Sequence, residues 1–174
     1  MEIHIIRHTK TIKEKNRIYG RFDPPLADTF YQEAMQYKQI LDQNYDKVFC
    51  SPLERCKRLA EFLGFRDVIY EPSLMEYSYG DWENKRWDEI NPKELQHWME
   101  NYYHVAPPNG ESFLGFHERV TNFINSLQKT PYDKVLLITH QGVIRSMIVL
   151  FENLPLEKFF EISIEHGKVY SYKI

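Results

Sequence analysis

Ile5-Ile6-Arg7-His8-Thr9, near the start of the chain, is the stretch that decides the fold. An apolar run breaks off in a polar cluster that contains histidine. Leu137-Ile138-Thr139-His140-Gln141-Gly142 repeats the pattern far along the chain. Each reads as a buried strand that ends abruptly. Open α/β sheets place their chemistry at strand ends of this kind. Either histidine alone is compatible with a strand-end residue whose hydrogen bond is satisfied. Two histidines and Arg7 converging on one point would instead form a cationic pocket holding a nucleophile. That combination points to phosphoryl chemistry with histidine as the acceptor.

Working outward, Ile3 to Ile6 and Val135 to Ile138 read as strands, the second apolar throughout like a central parallel strand. Lys47 to Cys50 and Val68 to Tyr70 add two more. Glu161 to Glu165 and Lys168 to Ile174 look like two final strands joined at His166-Gly167. They offer a sheet edge for pairing, and so a route to a homo-oligomer. A helix is expected from Asp28 or Thr29 to about Gln43, with Ala34, Tyr37 and Leu41 on one face. Ser51-Pro52-Leu53-Glu54 reads as a capping box with proline at the first helical position. That helix stops at Gly64. Lys85 to about Tyr103 reads as mostly helical, broken at Pro92. Another helix begins near Ser112, with Phe113, Phe116, Val120, Phe123, Ile124 and Leu127 as its apolar stripe. Val143 to Phe151 forms the last. Strands alternating with helices predict the α/β class. The expected architecture is a three-layer α/β/α sandwich with a mainly parallel sheet and a small helical cap. Residues 1–174 are expected to form one domain.

Composition narrows the function. Hydrophobic residues make up 43% of the chain, enough for a proper core. The net charge of −3 gives no general attraction to nucleic acid or to a membrane surface. No apolar run is long enough to span a bilayer. Met1-Glu2-Ile3-His4 lacks the basic and apolar regions of a secretory signal. Cys50 and Cys56 are the only cysteines and lack the partners of a zinc site. Reduced thiols and a cytoplasmic location are therefore expected. His4, His97, His104, His117 and His166 are scattered, so no metal set is read, and no cofactor is implied.

His8 is the candidate nucleophile, because a neutral imidazole can attack phosphorus and hold the phosphoryl group covalently. Arg7 is beside it, and guanidinium binds phosphate through a fork of donors. His140 is followed by Gly142 at a helix start, where backbone amides approach closely and anions are favoured. Arg55 sits in the first turn of its helix, against the helix dipole. A residue that breaks a local rule is a candidate for another task, here phosphate binding; the alternative is a solvated arginine paired with Glu54 or Glu61. Ser51 reads as a cap rather than a catalyst. Glu76 lies in the aromatic-rich run Leu74-Met75-Glu76-Tyr77-Ser78-Tyr79-Gly80-Asp81-Trp82-Glu83. A desolvated carboxyl there would suit a general acid. Asp81 and Glu83 compete with it on composition alone. Tyr77, Tyr79, Tyr102 and Tyr103 share one stretch with Trp82, Trp87 and Trp98. Most such aromatics pack a subdomain. One or two of the four tyrosines are expected to line the substrate mouth above His8 and stack on a flat base.

Taken together, these residues carry a family resemblance over essentially the full length. The chain resembles the histidine phosphatases, the superfamily that includes phosphoglycerate mutases. It is most similar to the α-ribazole phosphatase branch, which acts in cobalamin nucleotide-loop assembly. Arg7-His8-Thr9 resembles the family's Arg-His-Gly signature, and Ser51-Pro52-Leu53-Glu54-Arg55 its second phosphate-binding arginine. Glu76 with Gly80-Asp81-Trp82-Glu83 resembles the acid loop. Asn109-Gly110-Glu111-Ser112 and Thr139-His140-Gln141-Gly142-Val143 complete the set. The resemblance implies a metal-independent phosphomonoesterase acting on a small phosphorylated substrate. It implies His8 as nucleophile, Glu76 as proton donor, and Arg7, Arg55 and His140 as the phosphate clamp. It also implies hydrolysis rather than mutase chemistry, since the mutases carry a longer insertion between the acid loop and the second histidine. Thr9 stands where the family has glycine, and Lys10 and Glu14 where it often has glutamate and asparagine. Asn16 is a substitute candidate for that asparagine's phosphate contact. Within the branch, the flat base would be the benzimidazole of an α-ribazole ester.

Overall fold

The sheet at the centre of this computed structural model, which describes residues 1–174, is built around its two longest strands. β1 (Glu2–Arg7) and β4 (Lys134–Thr139) run parallel with Arg7 level with Thr139. β2 (Lys47–Cys50) pairs parallel with β4, and β3 (Ile69–Tyr70) with β2. β5 (Val169–Lys173) closes the other edge antiparallel to β1, giving the order β3-β2-β4-β1-β5.

Alternation along the strands sorts the core into two layers. Ile3, Ile5, Val135 and Leu137 pack against α4 (Phe113–Leu127) and α5 (Gln141–Phe151). Ile6, Leu136 and Ile138 pack the opposite face against α1 (Phe30–Ile40) and α2 (Glu54–Leu63). This is the three-layer α/β/α sandwich that the sequence predicts. A third cluster of Ile18, Trp82 and Ile90, with Tyr79, Leu95 and Trp98 against it, forms the small cap with α3 (Pro92–Asn101).

Several expected boundaries shift, each for a local reason. Ser51 does not cap α2. The helix starts at Glu54, and the caps come from Asp23, whose carboxylate accepts from the amides of Glu54 (2.7 Å) and Arg55 (3.3 Å). α1 ends at Ile40, because Leu41 turns extended. Lys85 to Glu89 is not α-helical: the Lys85 carbonyl accepts from the Ile18 amide in a strand-like pairing that gives way to a single 3-10 turn. The α-helix waits for Asn91, which caps it with Pro92 at its first position. Glu161–Glu165 is not a strand either. The carbonyls of Ile162 and Ile164 accept from Arg145 and Arg7 instead of from a neighbouring strand. Ser112 and Gly64 hold the positions read from sequence, the first capping α4 and the second ending α2 at φ 76°.

Tyr37 ties α1 to the strand end that carries Arg7. Its fully buried hydroxyl donates to the Arg7 carbonyl (2.9 Å) and accepts from the Gly167 amide (2.9 Å). Tyr37→Phe leaves both backbone groups without that partner. Urea unfolding should show a loss of about 1–3 kcal/mol, the cost of stranding buried polar groups. A loss under about 0.5 kcal/mol would mean that the hydroxyl does not fasten this corner.

Candidate active site

The strand register assembles the site. β1, β4 and β2 are parallel neighbours, so the residues after their carboxyl ends emerge at one level. Those residues are His8, His140 and Ser51. The His8 amide donates to the Thr139 carbonyl (2.9 Å), and the two histidine rings sit 5.1 Å apart.

His8 is only 4% exposed. Its Nδ1 lies 2.6 Å from the Thr9 carbonyl. A carbonyl can only accept, so Nδ1 carries the proton and Nε2 keeps its lone pair. Burial pushes the His8 pKa well below its usual value, and Arg55 and Arg7 push the same way; the Thr9 bond opposes them. The imidazole is therefore neutral. Thr9 itself is buried and does not adopt a positive φ, so the backbone here accepts a side chain where the family has glycine. Its hydroxyl has no partner.

His140 is fully buried with both ring nitrogens engaged. Arg55 Nε donates to Nδ1 (3.2 Å), which leaves Nε2 to donate to Ser51 Oγ (2.7 Å). Burial, then Arg55, His8 and Arg7, hold its pKa well down. It does not border the cavity beside His8. It reaches that cavity through Arg55.

Arg55 is 5% exposed and pairs with neither Glu54 nor Glu61. It donates to Asp23 (2.7 Å) and to the carbonyls of Gly20 (2.6 Å) and Phe22 (3.0 Å). Asp23 answers the helix-dipole conflict seen in the sequence: one carboxylate caps α2 and neutralises the cation in its first turn. Arg7 donates to the Ile164 carbonyl (3.2 Å), while its buried Nε has no partner.

Of the three acidic candidates, only Glu76 borders the His8 cavity. Its carboxylate accepts from the amides of Tyr77 (3.0 Å) and Gly142 (3.0 Å). A Cβ at Gly142 would overlap that carboxylate. The helix start expected to receive phosphate thus receives Glu76. Glu83 is occupied elsewhere, accepting from the amides of Gly20, Arg21, Phe22 and Tyr79 at 2.8–3.0 Å. Asp81 accepts from the Asn109 side chain (2.9 Å).

The cavity that Arg7, His8, Arg55 and Glu76 share has a volume of about 110 Å³. Its mouth is aromatic, but not as expected. Tyr19 and Phe22 line it, their rings 5.8 Å apart. Tyr77, Tyr79 and Tyr102 line a separate aromatic cavity with Trp98, and Tyr103 packs on Tyr102 and Phe113. Asn16 is exposed, and its carbonyl accepts from the Trp87 amide. Thr11 and Lys13 stand at the cavity in its place. The turn residues around Gly20-Arg21-Phe22-Asp23-Pro24 were the available signal for this loop, but not for its partners. No three His, Cys, Asp or Glu side chains converge as metal ligands. No helix is long and apolar enough to cross a membrane.

A histidine-centred cationic cavity at the carboxyl edge of a parallel sheet defines an α/β enzyme of phosphoryl transfer. A model of branch 1 of the histidine phosphatase superfamily matches residues 3–174, and the chain belongs to that superfamily and is a phosphatase. It is 29% identical over 176 residues to the adenosylcobalamin/alpha-ribazole phosphatase of Escherichia coli strain K12, over 96% of this chain and 87% of that one. The alpha-ribazole phosphatase from Shigella flexneri has a solved structure that matches with a TM-score of 0.89 and 29% identity, over 100% of this chain and 91% of that chain. A putative phosphoserine phosphatase 2 of Hydrogenobacter thermophilus is 26% identical, over 96% of this chain and 87% of that one.

The neutral histidines make folding acid-sensitive. The folded pKa values of His8 and His140 lie below the unfolded value near 6.5. Their stabilisation is thus complete above that value and is lost as pH falls below it. Urea unfolding should show stability dropping between pH 6.5 and 5 by up to about 1.4 kcal/mol per pH unit for each neutral imidazole. A flat profile across that window would contradict neutral histidines.

Proposed function

We propose that the protein is a metal-independent phosphomonoesterase acting through a phosphohistidine. His8 Nε2 attacks phosphorus in line. The N–P bond forms as the bond to the ester oxygen breaks, and Glu76 gives a proton to the departing alcohol. Water then attacks the phosphohistidine, Glu76 accepts its proton, and inorganic phosphate leaves. The observation that carries this reading is the bond from His8 Nδ1 to the Thr9 carbonyl. It fixes the tautomer whose free lone pair is the nucleophile. Arg7 and Arg55 are assigned to the phosphoryl oxygens, where charged donors act most strongly in a desolvated site. His140 is a positioning residue that orients Arg55.

Brief incubation with a labelled phosphomonoester should leave an acid-labile, base-stable phosphate on the protein, absent from His8→Ala. Glu76→Gln should slow esters of poor leaving groups far more than nitrophenyl phosphate, whose leaving group needs little protonation. Turnover by His8→Ala at the parent rate would end the assignment.

We assign α-ribazole 5′-phosphate, in cobalamin nucleotide-loop assembly, as the substrate. Two relatives of that name support it, at 29% identity each, and so does the aromatic pair at the cavity mouth. In this reading the whole chain acts as one domain in the cytoplasm, and the flat base stacks on Tyr19 and Phe22. Stacking contributes about 1–3 kcal/mol per base. The kcat/KM for α-ribazole 5′-phosphate should therefore exceed that for ribose 5-phosphate by about tenfold or more. Tyr19→Ala should reduce the preference and leave ribose 5-phosphate turnover nearly unchanged. Equal rates on both esters in the parent protein would favour a broad-specificity sugar-phosphate or phosphoglycerate phosphatase.

A further inference from the structure

Beside the phosphoryl cavity lies a second one, of about 270 Å³. The two share Arg7, His8, Thr11 and Lys13, and Lys10 and His166 complete the second. No acidic and no apolar side chain lines it. The first cavity holds Glu76; this one holds no counterion at all.

The groups around it are short of partners. The Thr11 hydroxyl and Arg7 Nε are buried without a hydrogen bond. Lys13 takes part in no ion pair and lies over the Tyr19 ring at 5.9 Å. Although exposed overall, it borders both cavities; burial there, then Arg7 and Arg55, lower its pKa. Lys10 reaches Glu33 only at 3.6 Å, and that carboxylate already accepts from the Lys10 amide and the Thr29 hydroxyl. The His166 ring is 6.1 Å from that of His8. Burial pushes its pKa down to about 4, with Arg7, Lys10 and Lys13 pushing the same way and Glu33 opposing. Arg7, Lys10 and Lys13 surround a cleft that no carboxylate lines, and an oxyanion placed among them is attracted to all three.

We propose that Arg7, Lys10, Thr11, Lys13 and His166 form a second oxyanion site, contiguous with the phosphoryl cavity through their shared residues. Arg7 and Lys13 face both sites, so two anions share their charge. The occupant is either a second anionic group carried by the ester or a free inorganic phosphate. The first source would make doubly anionic phosphomonoesters a further substrate class beside a singly phosphorylated ribazole. The inference rests on the phosphatase reading for the first cavity, and not on the identity of the alcohol.

Phosphoglycolate and 2-hydroxyethyl phosphate differ only by a carboxylate in place of a hydroxymethyl group. If the occupant is part of the ester, kcat/KM for phosphoglycolate should be at least about tenfold higher. Lys10→Ala with His166→Gln should bring the ratio near one while leaving 2-hydroxyethyl phosphate turnover unchanged. The single variants Lys10→Gln and His166→Gln serve if the double variant does not fold. If the occupant is free phosphate, calorimetry should count two phosphates on the parent protein and one on the variant, with no preference between the esters. Equal rates together with a single bound phosphate would overturn the second site alone. Failure to hydrolyse either ester or nitrophenyl phosphate would overturn the phosphatase reading, and the phosphate count would still judge the site.

Discussion

A buried guanidinium has to be satisfied, and the Arg55 side chain imposes that demand on four residues from two separate segments, the Gly20–Asp23 loop and the end of β4. An unpaired charge in the interior costs several kcal/mol. Asp23 supplies the countercharge, Gly20 and Phe22 supply carbonyls, and His140 supplies a ring nitrogen. Each partner then becomes fixed in turn. Asp23 draws the long loop after β1 onto the start of α2. His140 is committed to one tautomer and so to Ser51. The phosphate-facing arginine is therefore held before any substrate arrives, which lowers the reorganisation that charge stabilisation would otherwise require.

Carboxylates hold the loops around this arginine. Glu83 gathers amides from Gly20, Arg21, Phe22 and Tyr79, so the loop that feeds carbonyls to Arg55 is fastened to the acid loop. Glu111 does the same one layer out, accepting from the Ser78 amide, from Arg21 and from Arg119. A Cβ at Gly20 would overlap the Tyr77 carbonyl, so the two loops touch backbone to backbone there. Glu76 is the acid of this loop left facing the reactive cavity. The division of labour among Glu76, Asp81 and Glu83 is set by which amides each one meets.

Charge also prepares the nucleophile. Burial and the neighbouring arginines oppose a proton on His8, and the Thr9 carbonyl takes the one N–H that remains. The same arginines that would bind a phosphoryl group keep the attacking imidazole neutral. Folded stability at acid pH is given up for this, since an imidazole free in the unfolded chain would protonate near pH 6.5.

The sequence by itself determined the layered α/β fold and the positions of His8, His140 and Arg55. Apolar runs that stop at polar residues are local signals, and local signals survive in a linear string. The chain also marked Gly64 and Ser112 as helix ends, because caps depend on neighbours in sequence. It misread Ser51 as such a cap, because the true partners of α2 lie on Asp23 across the fold. On composition alone it could not rank Glu76 against Glu83, a choice that the family resemblance made, and it could not exchange Tyr77 and Tyr79 for Tyr19 and Phe22 at the mouth. Those choices depend on which long-range amides and rings come within contact distance. Only the tertiary structure decided them, because hydrogen bonds of about 3 Å and packed rings are set by three-dimensional distance and leave no period in the sequence.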